Sequence, residues 1–219
     1  MKGIWHRNGL SLSLFGLFLI FQIGLSLVGF EQHNQDQISH QQPTLGYLAY
    51  LTSDHFMEAT MENWESEFLQ MFAYVLLTAY LFQKGSAESR PFGDTPPSDV
   101  PPYKVNPDAP WPVRRGGWVL RLYEYSLSIA LFALFLLSFV LHAVSGAREF
   151  SQEELLHGGT AVTTLEYLGT AQFWFESLQN WQSEFFSIGF MVVLSIFLRQ
   201  KGSPESKAVD APHSKTGSE

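Results

Sequence analysis

The sequence predicts an all-α integral membrane protein with four transmembrane helices from two tandem, parallel two-helix repeats, plus outer interfacial helices. Three observations predict it. The hydrophobic residues, 46% of the 219, are gathered into four uncharged runs instead of being spread over amphipathic elements. The basic residues fall on one side of those runs. The chain also aligns with itself at an offset of 117 residues.

The first run, Leu10–Phe30, has 21 residues and no charge. The third, Ser126–Gly146, also has 21, with His142 its one titratable group. About 20 residues at a rise of ~1.5 Å cross a hydrocarbon core of ~30 Å, so both are read as spans. The second and fourth runs, Phe68–Phe82 and Phe185–Leu198, have 15 and 14 residues and are too short by that rule. Each is expected to draw its upstream turn, Asn63–Glu67 or Asn180–Glu184, into the membrane. The basic start resembles a signal peptide, but the first run is longer than a usual apolar signal core and no small-residue cleavage site follows it. It is expected to be retained.

Twelve of the thirteen Lys and Arg residues lie before the first run, between the second and third, or after the fourth; Arg148 is the exception. Positive charge collects on the cytoplasmic side. Both termini and the 83–120 segment are therefore expected inside, and the acidic loops 31–62 and 147–180 outside. The formal charge of −8 is thus a sum over two unlike faces. There is no cysteine, which excludes a disulfide framework and any thiolate metal or redox site. The scattered basic residues give no nucleic-acid surface.

At the offset of 117, positions 10–89 pair with 127–206 without a gap and with 28 identities in 80. Leucine-rich composition explains matches inside the spans. It does not explain NWESEF (63–68) over NWQSEF (180–185), or QKGSAES (83–89) over QKGSPES (200–206). The predicted organisation is a first repeat over 1–90, a linker over 91–117, a second repeat over 118–206 and a disordered tail over 207–219. Eight of the eleven prolines fall within 91–113, a composition that favours extended chain. At each QKGS exit a lysine stands beside the last helical carbonyls, followed by a glycine suited to a left-handed cap. Residues 45–62 and 162–179 mix aromatic and acidic residues and read as interfacial helices.

A polar stripe is expected on the second and fourth spans. Asn63, Ser66, Glu67, Gln70 and Thr78 share one helical face, as do their counterparts Asn180, Ser183, Glu184, Ser187 and Ser195. Trp64 and Trp181 would anchor the stripe at the interface. Polar groups are costly in lipid, so the stripe should face the bundle interior or a wet cavity. Two readings follow. One makes these residues interhelical hydrogen-bonding glue, at roughly 1 kcal/mol per bond. The other makes Glu67 and Glu184 a carboxylate pair in an outward-facing cavity of a small cation or proton channel or transporter. The stripe has no basic partner, which favours glue.

His33, His40, His55, Asp36 and Glu58 are conceivable external ligands, but the second copy keeps only His157 at the histidine positions, and no ligand spacing such as HExxH occurs. No metal or cofactor is expected. No nucleophile elbow or phosphate loop is present either, so no enzyme is expected.

The start NGLSLSLFGLFL (8–19), the two NWxSEF blocks, DAPWPVRRGG (108–117) and QKGSPES together resemble a bacterial family of small multi-pass membrane proteins known only as a domain of unknown function. The resemblance implies a bacterial inner-membrane location and transfers no activity or site residue. The expected role is that of a non-enzymatic structural or accessory protein. Its partners would be the lipid bilayer and either another copy of itself or a membrane protein.

Overall fold

A computed structural model describes residues 3–91 and 108–217. Most of the proline-rich linker, residues 92–107, lies outside the described residues. Among those described there are eight helices and no strand: α1 (Ile4–Ser39), α2 (Tyr47–Tyr50), α3 (Asp54–Tyr80), α4 (Trp111–Arg115), α5 (Gly117–Glu124), α6 (Ser126–Leu156), α7 (Thr164–Tyr167) and α8 (Ala171–Phe197). The boundaries of α7 and α8 fall 117 residues after those of α2 and α3.

α1 and α6 are long and apolar enough to cross a membrane. Little of either is covered by protein: 11% of the most apolar stretch of α1 is buried, and 17% of that of α6. The core helix of a water-soluble fold would be mostly buried, and neither stretch is.

The short second and fourth runs are not short helices. No glycine or proline interrupts residues 54–82, so the expected interfacial segment and the apolar run form one helix, α3, of 27 residues, roughly 40 Å long. The 27-residue α8 does the same, with Gly189 inside it. What precedes each is a single turn, α2 or α7. Within the stretch expected to be linker, α4 begins after Pro110 with Pro112 in its first turn, and Arg115 lies over the Trp111 ring at 5.6 Å.

The chain divides into two compact units, residues 1–61 with 141–169, and residues 62–140 with 170–219. This division cuts across the sequence repeats, because each unit takes helical segments from both.

In the first unit, α1 and α6 end alike. Gln42 N–H donates to Gln37 C=O at 2.8 Å and Gly159 N–H to Glu154 C=O at 2.8 Å, closing the same six-to-one helix stop. The residue before each donor is left-handed, Gln41 at φ 57° and Gly158 at φ 81°. Each following loop is clamped by one side chain that both donates and accepts. Asn34 holds the Leu45 carbonyl (3.1 Å) and N–H (2.8 Å), and Ser151 holds those of Val162 (3.2 and 2.9 Å). Both clamps bring α2 and α7 back over their long helices. Tyr50 then lies in the notch at Gly29 and Tyr167 in the notch at Gly146. A methyl group would stand 2.3 Å from Tyr50 Oη at the first and 2.6 Å from Tyr167 Cε1 at the second. These tyrosines are 2% and 0% exposed and form the core of the unit.

In the second unit, α3, α6 and α8 pack through aromatic rings. Phe132 of α6 meets Phe72 at 5.0 Å, and Phe139 meets Phe173 edge-on at 5.4 Å. Gly85 and Gly202 take φ of 84° and 85°, as expected at the helix exits. The cations on the last carbonyls are not Lys84 and Lys201. Arg90 donates to Ala79 C=O, and Arg199 donates to Ile196 and Leu198 C=O, because the guanidinium fork reaches back along the axis.

Residues 207–217, expected to be a disordered tail, run back along the 83–90 exit. One side chain gathers most of the contacts. Lys207, 2% exposed, donates from Nζ to the carbonyls of Gly85, Pro212 (3.4 Å), His213 (3.1 Å) and Lys215 (3.0 Å). Gly217 N–H donates to Ser86 C=O at 2.9 Å and closes the loop. Burial, then the nearby charges of Arg199 and Lys215, hold the Lys207 amine below its ordinary range.

Candidate functional site

The polar stripe lies in the second unit, and the structure draws part of it together. Ser66, Gln70 and Ser195 are buried, while Thr78, Asn180 and Glu184 are half-buried. Asn63, Glu67, Ser183 and Ser187 are not covered by protein. The hydroxyls mostly serve their own helices. Ser66, Ser183 and Ser187 donate three residues back at 2.8 Å, and Thr78 four residues back at 2.8 Å. Between helices, Gln70 Nε2 donates to Glu184 C=O at 3.4 Å, and the hydroxyls of Ser86 and Ser195 meet at 2.8 Å.

The carboxylate at the centre of the packing is neither Glu67 nor Glu184. It is Glu65, the variable letter of NWxSEF, and it is 0% exposed. Its Oε1 accepts from Ser177 Oγ at 2.8 Å and from Trp181 Nε1 at 3.1 Å. One turn away, Asn180 Nδ2 donates to Glu62 Oε1. Trp181 is therefore a hydrogen-bond donor to a buried acid as well as an aromatic anchor, and Trp64 is half-buried with its ring 6.4 Å from that of Phe68.

Burial along each helix shows the shift. α3 buries Met61 and Glu65, four residues apart. α8 buries Phe173 and Ser177 and half-buries Trp181 and Glu184. The repeat counterparts of Met61 and Glu65 are Leu178 and Gln182, both uncovered. The two helices therefore differ in what they cover at these positions, although Thr60 and its counterpart Ser177 are buried on both. The readable signal for Glu65 was its i, i+4 spacing from Met61, off the stripe that the identities define.

A second acidic pair forms at the exits. Glu88 and its counterpart Glu205 line a cleft of about 520 Å³ with Tyr74, Arg90 and Thr216. Tyr74 Oη donates to Glu88 Oε2. Burial, with the charge of Glu205 adding to it, lifts the Glu88 carboxyl above its ordinary range, against the pull of the Tyr74 hydrogen bond. The QKGSxES motif therefore does more than end a helix.

Residues 1–218 match the family described as Domain of unknown function (DUF6766). The chain belongs to this family. No curated protein and no solved structure matches it. The family carries no activity to place on Glu65 or Glu88, so any function rests on the geometry.

Proposed function

We propose that this chain is a four-span, multi-pass membrane protein of the bacterial inner membrane. In this reading it is built from two parallel two-helix repeats with both termini cytoplasmic, and it acts as a non-enzymatic structural or accessory protein through helix packing or a membrane partner. The observation that carries the packing role is Glu65, fully buried and satisfied by Ser177 and Trp181 of the other repeat. A buried acid spent on two protein donors is glue, and removing either side would leave a polar group unpaired. The shared 117-residue offset of α2/α3 and α7/α8 supports the two-repeat reading. The topology has support on each side. The exit 83–90 and the tail 207–217 are hydrogen-bonded, so they share a side, and the rings of His40 and His157 in the two acidic loops lie 6.4 Å apart. Glu67 and Glu184 lie within reach of each other's charge, which is the one observation on the side of the channel reading; the packing role is favoured because the fully buried acid is Glu65.

Reconstituted vesicles test this. Wild-type protein and the Glu67→Gln/Glu184→Gln variant should both show cation and proton flux at the level of empty liposomes. Flux in the wild type that the double variant loses would overturn the packing role in favour of transport. In the same vesicles, single cysteines placed at Ala87 and His213 should label from one side and one at Gln42 from the other. Labelling of all three from one side would refute four spans.

A further inference from the structure

Three helices of the first unit deliver His33 (α1), His55 (α3) and Glu149 (α6) to one point. One ligand atom from each lies within 4.8 Å of the others. The His33 and His55 rings are 4.9 Å apart between centroids. His33 is 7% exposed, and His55 and Glu149 are half-buried. We propose that His33, His55 and Glu149 form a binding site for one divalent transition-metal cation, with zinc its best-matched occupant.

The donor set is the first argument. Two imidazoles and one carboxylate suit zinc, and equally the first-row ions taken by two-histidine, one-carboxylate sites, whereas magnesium and calcium prefer all-oxygen shells. Bonds of about 2.0–2.2 Å to a shared ion bring ligand atoms to roughly 3.3 Å of each other. Closing from at most 4.8 Å asks each ligand atom to move by about 1 Å.

The surroundings are the second argument. A metal-bound imidazole is oriented by a hydrogen bond at its other nitrogen. Tyr50 Oη lies 3.4 Å from His55 Nδ1, and Gln37 Nε2 lies 3.4 Å from His33 Nε2. The tyrosine oxygen can accept the His55 Nδ1–H and so leaves His55 Nε2 for the ion, whereas Gln37 serves His33 in the same way only with its amide turned to present Oε1. Tyr50 is itself fixed in the Gly29 notch, so the orienting group is rigid. Around Glu149 stand Asp36, Asp54 and Glu153, and the cation Arg148 is paired with Asp54 at 3.3 Å. Negative charge thus exceeds positive where a dication would sit. Three protein ligands leave a fourth position for water or an exogenous ligand.

No metal is expected from the sequence, because the second copy keeps only His157 at the histidine positions and no ligand spacing such as HExxH occurs; Glu149, 94 positions after His55, is not among the candidates it offers. Moreover, Glu149 comes from the copy in which the histidines are replaced by Phe150 and Gln172. The site is asymmetric and exists only in the folded chain.

The experiment uses the full chain in detergent, purified without a histidine tag, incubated with zinc and desalted, with metal counted by mass spectrometry. Wild type should retain about one zinc per chain, unmoved by a hundredfold excess of magnesium. His33→Gln/His55→Gln should retain less than about a tenth, and Glu149→Gln should bind at least about tenfold more weakly. His40→Gln/His157→Gln, which removes the other histidine pair of this unit, should bind as wild type does. Cobalt gives a second readout: because the chain has no cysteine, its visible bands would report nitrogen and oxygen ligands alone. Should the double histidine variant lose helicity, Glu149→Gln decides, and unchanged affinity there overturns the site. Retention below about a tenth by wild type, or equal retention by the His33/His55 variant, overturns it as well.

Discussion

The two NWxSEF segments lie on helices of equal length, at equivalent positions, and share five of six letters, yet they bury different ones. On α3 the fully enclosed residue is Glu65, the letter that differs, and Glu67 is exposed. On α8 the equivalent Gln182 is exposed and Glu184 is half-buried. The helix stops, the loop clamps and the tyrosine notches all recur at the offset of 117. The burial of positions 65 and 182 does not recur. Letters shared at that offset therefore accompany a shared backbone path, while the letter that differs accompanies a difference in packing.

The largest test of that contrast is Glu65→Ala against Gln182→Ala. The first strands the Trp181 N–H and the Ser177 hydroxyl and should cost about 3 kcal/mol, read as a lower midpoint in detergent unfolding. The second should stay within about 0.5 kcal/mol. Equal losses would erase the distinction between the copies. The notches give a subtler contrast. Gly29→Ala and Gly146→Ala should each cost about 2 kcal/mol by overpacking. At Gly29 the clash is with the Tyr50 hydroxyl and the next atom, Cζ, is at 3.3 Å, so adding Tyr50→Phe should restore most of the stability. At Gly146 the ring carbon Cε1 and Glu58 Oε1 both stand at 2.6 Å, so Tyr167→Phe should not. Rescue at both would mean the notches are interchangeable. The smallest effect has the opposite sign. Gln41 holds the left-handed angle that its counterpart Gly158 adopts without strain, so Gln41→Gly should stabilise by up to about 1 kcal/mol.

Much of the fold was legible because it rests on local rules. Uncharged length located α1 and α6, and QKG located the glycine caps. The extent of α3 was misjudged, because an apolar run marks where a helix is greasy and not where it begins; no glycine or proline separates Asp54 from that run. The clamp was illegible for a different reason: Asn34 and Ser151 do one job with different chemistry, so no identity marks it. Which of Glu65 and Glu67 is enclosed depends on packing against other helices, and the sequence marks it only by the i, i+4 spacing of Glu65 from Met61. The grouping of His33, His55 and Glu149 comes from three helices meeting, which spacing within any one of them does not encode.

Lys207 gives the last residues a single charged centre. Four carbonyls converge on its ammonium. Acetylating that amine would take the charge out of the cluster, while the bonds from Gly85 to Thr216 and from Gly217 to Ser86 stay available. Faster limited proteolysis within 207–217 after acetylation would show how much of the tail's order depends on that charge.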